Sequence, residues 1–326
     1  FMNFKKPKFW DYPGLSVWSI ILYPLSLLFL LASSILRILK VEKKFSIPII
    51  CIGNIYVGGT GKTPLALEIF KIIKSYGKNP AFIKKGYDYL YDEIQMLDKA
   101  GKTYSNRNRE EAINSIISDK HDIAILDDGF QDPSIKKDFS ILCFNSRQLI
   151  GNGFLIPSGP LRESFKSIKR ADCIVINGDR NIEFENKIKK INKNIKMFYS
   201  KYKITNLDKF KNKKVLAFAG IGNPSNFFEL LKENDINLLR AYSFPDHHNY
   251  TKKDFDKIIG DTFLASVPEV MKEKPDVESV KIVTTEKDYF RMNEKQKQNC
   301  DYIKVDLEIK NKDEFINLIK SKLWKL

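Results

Sequence analysis

The sequence has few of the residues that usually build covalent or metal cross-links. Its 326 residues include only four cysteines and three histidines. The cysteines lie far apart without a CxxC pair, and three of them stand in apolar runs, where a free thiol behaves as a small hydrophobic group. No cluster shows the ligand spacing of a zinc site. This usage argues against a disulfide framework and favours a reducing cytoplasm.

The sequence also lacks internal repeats, low-complexity linkers and any dense Lys/Arg tract with interleaved aromatic residues. The formal net charge is nevertheless +15, from 55 Lys+Arg against 40 Asp+Glu. This excess either reflects a Lys-, Ile- and Asn-rich composition or suits an anionic partner. Without a basic tract, we expect no nucleic acid, and a membrane surface or a phosphorylated substrate is favoured.

One long stretch without charge is present, from Leu15 to Leu36. As a helix it would be about 33 Å long, enough to cross a bilayer. However, one arc is polar, and it consists of Ser16, Ser19, Tyr23, Ser26, Ser33, Ser34, Arg37 and Lys40. This asymmetry favours a helix that lies in the membrane interface or docks its polar stripe on protein, over a plain spanning helix, a signal peptide or a buried core helix. The flanking lysines suit anionic head groups; they are Lys5, Lys6, Lys8, Lys40, Lys43 and Lys44.

A glycine-rich loop follows the first apolar strand pattern and opens a helix, which is the context of a phosphate-binding P-loop. Its residues are Gly58, Gly59, Thr60, Gly61, Lys62 and Thr63. Glycines let backbone N–H groups turn toward phosphates, and the helix N-terminus adds its dipole. Lys62 is predicted to reach the β- and γ-phosphates of ATP, and the Thr63 hydroxyl to bind Mg²⁺. The usual first glycine is replaced by Tyr56.

A second apolar strand, Ile123–Leu126, runs directly into Asp127, Asp128 and Gly129. Alone, this triplet would be an ordinary turn. Next to a P-loop, a strand that ends in Asp is the Walker B arrangement, which holds Mg²⁺. We therefore predict Asp127 and Asp128 as metal-binding residues.

Helix and strand patterns alternate along the remaining chain, and several strands are continuous apolar runs, as in buried parallel sheets. The predicted fold class is α/β, with a P-loop NTPase-type parallel sheet domain, a second, smaller α/β domain and an N-terminal membrane-associated helix. The predicted divisions are the N-terminal helix at 1–40, the P-loop domain at 41–206 and a C-terminal domain at 207–326 that completes the active-site cleft. The Gly- and Pro-rich segment 147–163 is predicted to be a loop or lid.

These motifs, taken in order, resemble the tetraacyldisaccharide 4′-kinase family, the lipid A pathway kinases of Gram-negative bacteria. The resemblance covers nearly the whole chain. The P-loop of the family also lacks the usual first glycine, as this sequence does at Tyr56. The matching segments are Gly53-Asn54 with Gly58–Pro64, Asp127–Gln131, Gly151–Gly153, Leu155–Glu163, Ala219–Pro224 with Phe227-Phe228, Asp246-His247, and Thr285–Asp288. Two segments depart from the family pattern: SRGYG is reduced to Lys85-Gly86-Tyr87-Asp88, and the acidic GDEP motif aligns with Tyr91-Asp92-Glu93-Ile94.

The resemblance implies the roles of three further residues. Asp92 would be the base that accepts the proton of a sugar hydroxyl, oriented or charge-coupled by His247. Glu163 would join Asp128 near Mg²⁺. The residues alone leave His247 open between a structural and a functional role, although a polar loop that contains two histidines beside Asp246 favours function.

The implied function is ATP- and Mg²⁺-dependent transfer of a phosphoryl group to the 4′-hydroxyl of a tetraacyldisaccharide 1-phosphate, an anionic glycolipid, at the cytoplasmic face of the bacterial inner membrane. No obligate protein partner is predicted. The alternative is another membrane-associated P-loop ATPase or small-molecule kinase. A GTP-binding switch is disfavoured, because Thr285–Asp288 and Asn177–Asp179 only approach the NKxD signal of guanine recognition.

Overall fold

The computed structural model describes residues 6–12, 14–266 and 280–323. The chain divides into two compact units. The larger unit contains the described residues within 2–87, 97–201 and 307–326, and the smaller unit contains those within 88–96 and 202–306. Lys5 lies outside the described residues.

The larger unit is built on an eight-stranded sheet with the order β12-β7-β6-β5-β1-β4-β2-β3. Each adjacent pair from β7 to β3 is parallel. Strands β1, β4, β5 and β6 are buried along their whole length, as their continuous apolar runs predict. The strands are β1 (Ile49–Gly53), β2 (Pro80–Lys85), β3 (Thr103–Asn106), β4 (Ile123–Asp127), β5 (Phe139–Asn145), β6 (Cys173–Asn177), β7 (Lys196–Ile204) and β12 (Val305–Ile309).

Helices connect several of these strands along the chain, for example α2 between β1 and β2 and α4 between β3 and β4. Helix α2 begins directly after the glycine-rich loop, and its apolar side chains, among them Leu65 and Ile69, are buried. The helices are α1 (Val17–Leu39), α2 (Lys62–Ser75), α3 (Tyr91–Ala100), α4 (Arg109–Ser118), α5 (Ile182–Ile191) and α10 (Lys312–Leu323). Helix α3 crosses the boundary between the units after Met96.

The smaller unit contains a four-stranded sheet with the order β11-β10-β8-β9, in which all neighbours are parallel. Its strands are β8 (Lys214–Ala219), β9 (Asn237–Ser243), β10 (Val280–Thr285) and β11 (Asp301–Ile303), and its helices are α6 (Pro224–Glu233), α7 (Lys252–Ser266), α8 (Glu286–Arg291) and α9 (Glu294–Lys297). Both units are therefore α/β with parallel sheets, so the predicted fold class is confirmed.

This division differs from the predicted one of 1–40, 41–206 and 207–326. The N-terminal helix, the last helix and residues 307–309 of the last strand lie in the larger unit, whereas 88–96 lie in the smaller one. The reason is packing between segments that are distant in sequence. Strand β12 lies beside β7 at the edge of the large sheet. Phe315 of α10 packs edge-on against Phe198 of β7, with 5.0 Å between the ring centroids.

The polar stripe of α1 docks on protein. Ser26 is 2% exposed, and its hydroxyl donates to the Leu155 carbonyl at 2.9 Å. The Ser19 hydroxyl accepts from the Asn152 side chain at 3.1 Å. The opposite face remains exposed, for example Leu28 at 62% and Leu31 at 59%. Helix α1 is thus not a buried core helix, and it is long and apolar enough to cross a membrane.

Candidate active site

The glycine-rich loop leaves the carboxyl end of β1, between β4 and β5. Gly58 and Gly61 have φ values of +124° and +90°, which favour glycine over any residue with a Cβ. The Asn54 amide donates to the Gly58 carbonyl at 3.2 Å and to the Thr60 hydroxyl at 3.0 Å. Gly61 then caps α2, whose first residue is Lys62. The loop therefore has the backbone shape and the helix N-terminus of a phosphate site.

Asp127 ends β4 beside this loop, because parallel pairing sets Ile52 of β1 opposite Asp127. Its carboxylate is fully buried, and one oxygen, Oδ2, accepts from the Thr63 hydroxyl at 2.9 Å and from the Lys84 ammonium at 2.7 Å. The other oxygen, Oδ1, is buried without a hydrogen-bond partner. The structure thus brings together Thr63 and Asp127, as predicted, and adds Lys84.

Asp128 has a positive φ of 63° and carries a carboxylate among cations. Its Oδ2 lies 3.8 Å from the Lys62 ammonium, and Arg162 donates to its two oxygens at 3.0 and 3.1 Å. Burial raises the pKa of the Asp128 carboxyl, but Lys62, Arg162 and Lys84 outweigh burial and hold that pKa well below its usual range. Asp128 is therefore a carboxylate at neutral pH.

Glu163 is 9% exposed, and its two oxygens accept from two different arginines. Arg37 of α1 donates to Oε1 at 2.7 Å, and Arg170 donates to Oε2. These contacts tie the C-terminal end of α1 to the segment that also carries Arg162. The segment 147–163, predicted as a loop or lid, belongs to the larger unit, and its last residue is anchored to α1 through Arg37.

The oxygen atoms around Asp127 fit Mg²⁺. This ion prefers oxygen ligands and is usually held by one or two carboxylates together with substrate phosphates and water. The Thr63 hydroxyl, the unpartnered Oδ1 of Asp127 and the Asp128 carboxylate supply such oxygens. An unpartnered buried carboxylate oxygen is costly, and a metal or its water would satisfy it.

Asp92 is the centre of a second polar cluster, which lies within the smaller unit. Its side chain is 1% exposed, and Oδ2 accepts from Nε of Arg291 at 2.8 Å and also from Nη2 of Arg291. The Lys287 ammonium lies 3.9 Å from the same oxygen and donates to Glu93 at 2.9 Å. Oδ1 of Asp92 is buried without a hydrogen-bond partner. Arg291 therefore fixes one oxygen of Asp92, and the other oxygen is left without a hydrogen bond.

His247 belongs to this second cluster. Its Nδ1 lies 3.9 Å from Oδ2 of Asp92, too far for a direct hydrogen bond, and has no hydrogen-bond partner. Burial, and then the Lys287 ammonium, lower the pKa of His247, which favours the neutral imidazole at neutral pH. The structure thus places His247 beside Asp92, as the resemblance implied.

Two residues of these clusters escape the sequence-based prediction. Arg291 is fixed by the Gly220 carbonyl at 2.8 Å and by Asp288 at 3.1 Å while it holds Asp92. Its signal in the sequence is the i,i+3 spacing from Asp288 on a helix. Lys84 precedes the motif residue Lys85 and gives no comparable signal, since only the sheet shows which of the two lysines is buried.

A cavity of about 520 Å³ lies beside α1 in the larger unit. Phe29 and Leu36 supply an apolar side, and Arg37, Lys40 and Arg162 supply cations. A cavity with both characters suits a molecule that carries anionic and apolar groups.

Comparisons with known proteins agree with this arrangement. A sequence model of the family described as tetraacyldisaccharide-1-P 4′-kinase matches residues 18–103 and 90–324. The tetraacyldisaccharide 4′-kinase of Pelagibacter ubique is 41% identical in an alignment of 326 positions that covers 98% of each chain. The enzyme of that name from Rickettsia canadensis is 32% identical, over 98% of this chain and 96% of its own.

Among solved structures, the chain is similar to LpxK from Aquifex aeolicus, which was crystallised in complex with ATP. The TM-score is 0.68 at 22% identity, with 94% of this chain and 99% of that chain covered. This likeness supports the fold. The family models and relatives confirm the resemblance drawn from the sequence motifs, and the chain belongs to the tetraacyldisaccharide 4′-kinase family.

Proposed function

We propose that this protein transfers the γ-phosphoryl group of ATP to the 4′-hydroxyl of a tetraacyldisaccharide 1-phosphate in lipid A biosynthesis. The observation that carries the proposal is the match to named 4′-kinases over 98% of the chain, which includes both polar clusters. The motif residues of both clusters have the buried, charged surroundings that phosphoryl transfer needs.

The larger unit supplies the ATP site of this proposal. Backbone N–H groups of Gly58–Gly61 would bind the phosphates, and Lys62 would move its ammonium from Asp128 to the β- and γ-phosphates. Thr63, Asp127 and Asp128 would hold Mg²⁺, which neutralises charge on the transferred group when it is bound. Both Glu163 oxygens already accept hydrogen bonds from arginines. We therefore propose that Glu163 does not bind the metal directly and instead holds these arginines near it.

Asp92 of the second polar cluster would be the base. The 4′-hydroxyl oxygen forms a bond to the γ-phosphorus, the bond between that phosphorus and the β–γ bridging oxygen breaks, and ADP leaves. Oδ1 of Asp92 takes the hydroxyl proton, while Arg291 fixes Oδ2. The neutral His247 beside it orients the hydroxyl or stabilises the protonated base.

The larger unit also has the features of a protein that works on a membrane lipid. The apolar face of α1 is exposed, and the exposed lysines Lys8, Lys40 and Lys44 flank the helix along the chain. This combination suits the interface of a bilayer with anionic head groups. The cavity beside α1, with its apolar and cationic walls, is our candidate for part of the glycolipid site. These features favour a place at the cytoplasmic face of the bacterial inner membrane.

We expect the purified, detergent-supported protein to phosphorylate tetraacyldisaccharide 1-phosphate when ATP and Mg²⁺ are present. Mass spectrometry should show a lipid heavier by one phosphate, and ADP should form in equal amount. Omission of Mg²⁺, or use of the disaccharide without a free 4′-hydroxyl, should remove the product. ATP hydrolysis without a phosphorylated lipid would instead support the alternative, a membrane-associated P-loop ATPase.

We expect the double substitution Leu28→Glu and Leu31→Glu to release the protein from vesicles that contain anionic lipid. Both side chains are exposed by about three-fifths, so the fold does not need them, while two charges in the acyl region cost about 2–3 kcal/mol each. Vesicle flotation measures the release. Ile182→Glu is the matched control, since Ile182 is 63% exposed on α5 and should leave flotation unchanged. Undiminished flotation of the double variant would show that another surface binds the membrane.

A further inference from the structure

A buried lysine contacts the predicted metal-binding carboxylate. Lys84 lies on β2 with 2% of its side chain exposed, and its ammonium is 2.7 Å from Oδ2 of the fully buried Asp127. The same oxygen accepts from Thr63 at 2.9 Å. Lys84 belongs neither to the P-loop nor to the motifs from which we predicted the site. A lysine is almost never buried so completely without a specific charge partner.

Five charged side chains at this site include more cations than anions. Three cationic side chains contact its two carboxylates: Lys84 contacts Asp127, and Lys62 and Arg162 contact Asp128. The net charge of these five groups is +1. Among the described residues, no group of three or more His, Cys, Asp or Glu side chains is placed to hold a metal ion. A divalent cation that arrives alone meets a net positive site with few protein ligands.

We propose that Lys84 is a positioning residue that makes metal binding depend on nucleotide. Its ammonium holds one oxygen of Asp127 and leaves Oδ1 for the ion, while its fixed positive charge opposes binding of a free divalent cation. ATP brings about four negative charges, which reverse the sign of the site and supply the missing oxygen ligands. The metal therefore enters together with the phosphates.

This inference rests on the proposed function, because it takes Asp127 and Thr63 as metal ligands. It concerns a step that does not need the lipid. Metal binding is measurable without the acceptor, so a failure of this inference and a failure of the proposed kinase activity are distinguishable.

The test measures Mn²⁺ binding by electron paramagnetic resonance on the full chain in detergent, with and without the non-hydrolysable ATP analogue AMP-PNP. The unchanged protein with AMP-PNP should bind Mn²⁺ at least about tenfold more tightly than AMP-PNP does without protein. In Lys84→Met, nucleotide-free Mn²⁺ binding should become at least about tenfold tighter, which narrows the difference between the two conditions. The exposed Lys74→Met on α2 is the matched control and should behave as the unchanged protein.

Lys84→Gln provides a second variant that keeps a hydrogen-bond donor toward Asp127 and removes the charge. Lys84→Gln should also make nucleotide-free Mn²⁺ binding tighter, and it carries the test if Lys84→Met does not fold. The proposal is overturned if the unchanged protein binds Mn²⁺ as tightly without nucleotide as it does with AMP-PNP. So does a lowered melting temperature in both Lys84 variants with an unaltered Mn²⁺ difference, since that result is the sign of a purely structural ion pair.

Discussion

Asp92→Asn should lower kcat for lipid phosphorylation by about 10²–10⁴-fold, the usual contribution of a general base. Asparagine has nearly the same shape as aspartate but cannot accept the hydroxyl proton. KM for ATP should change little, because the substitution leaves the P-loop intact. Arg291 keeps its bonds to Gly220 and Asp288, so we expect the variant to stay folded, which thermal unfolding can verify.

The control for Asp92 is Asp98→Asn, an exposed carboxylate on the same helix, which should retain normal turnover. A pH series adds a second readout. Because burial and Lys287 lower the pKa of His247, its imidazole stays neutral as the pH falls to about 6.5, the ordinary histidine value. Protonation of His247 should therefore not reduce the rate of the unchanged protein between about pH 8 and 6.5. If Asp92→Asn kept a near-normal kcat, the alignment of Tyr91-Asp92-Glu93-Ile94 with the family's acidic motif would be wrong.

Lys62→Met should lower kcat by about 10²–10³-fold, the cost of one lost charge donor at a developing anion. The ammonium now lies 3.8 Å from Asp128, at the first turn of α2, from which a flexible stem can reach bound phosphates. Methionine keeps that stem and loses the charge. Backbone N–H groups and the helix dipole still bind ATP, so nucleotide affinity should fall much less than turnover.

Lys74→Met on the same helix is the matched control for Lys62, since its side chain is exposed. Single-turnover kinetics with saturating ATP separate the chemical step from nucleotide binding. A Lys62→Met variant that loses ATP binding but keeps its single-turnover rate would assign Lys62 to ground-state binding and not to the transition state.

Local patterns predict the central strands and helices well, because burial on both faces leaves a continuous apolar signature. The apolar run Ile123–Leu126, which we predicted as a strand, is β4, and the strand ends one residue later at Asp127. The loop between β1 and α2 was recognisable because Gly58 and Gly61 need backbone angles that other residues rarely adopt. These signals lie within a few neighbouring residues.

Elements that depend on partners distant in sequence were missed. Strand β7 alternates between exposed and buried residues, and its Lys-rich sequence hides the buried face. The short run at Tyr302–Val305 contributes to two strands, β11 of the small sheet and β12 of the large one, which local pattern does not separate. Helix α3, which carries Asp92, also escaped, since its first six residues belong to the smaller unit and its last four to the larger unit.

The family, the α/β class, the P-loop from Gly58 to Thr63 and the acidic strand end at Asp127 follow from the sequence alone, because each depends on local spacing and backbone freedom. Which charges meet becomes visible in the folded chain. It pairs Lys84 with Asp127, Arg291 with Asp92 and Arg37 with Glu163, across separations of 43, 199 and 126 residues. Electrostatic contacts act through space at a few ångströms, and the order of residues along the chain does not encode those distances.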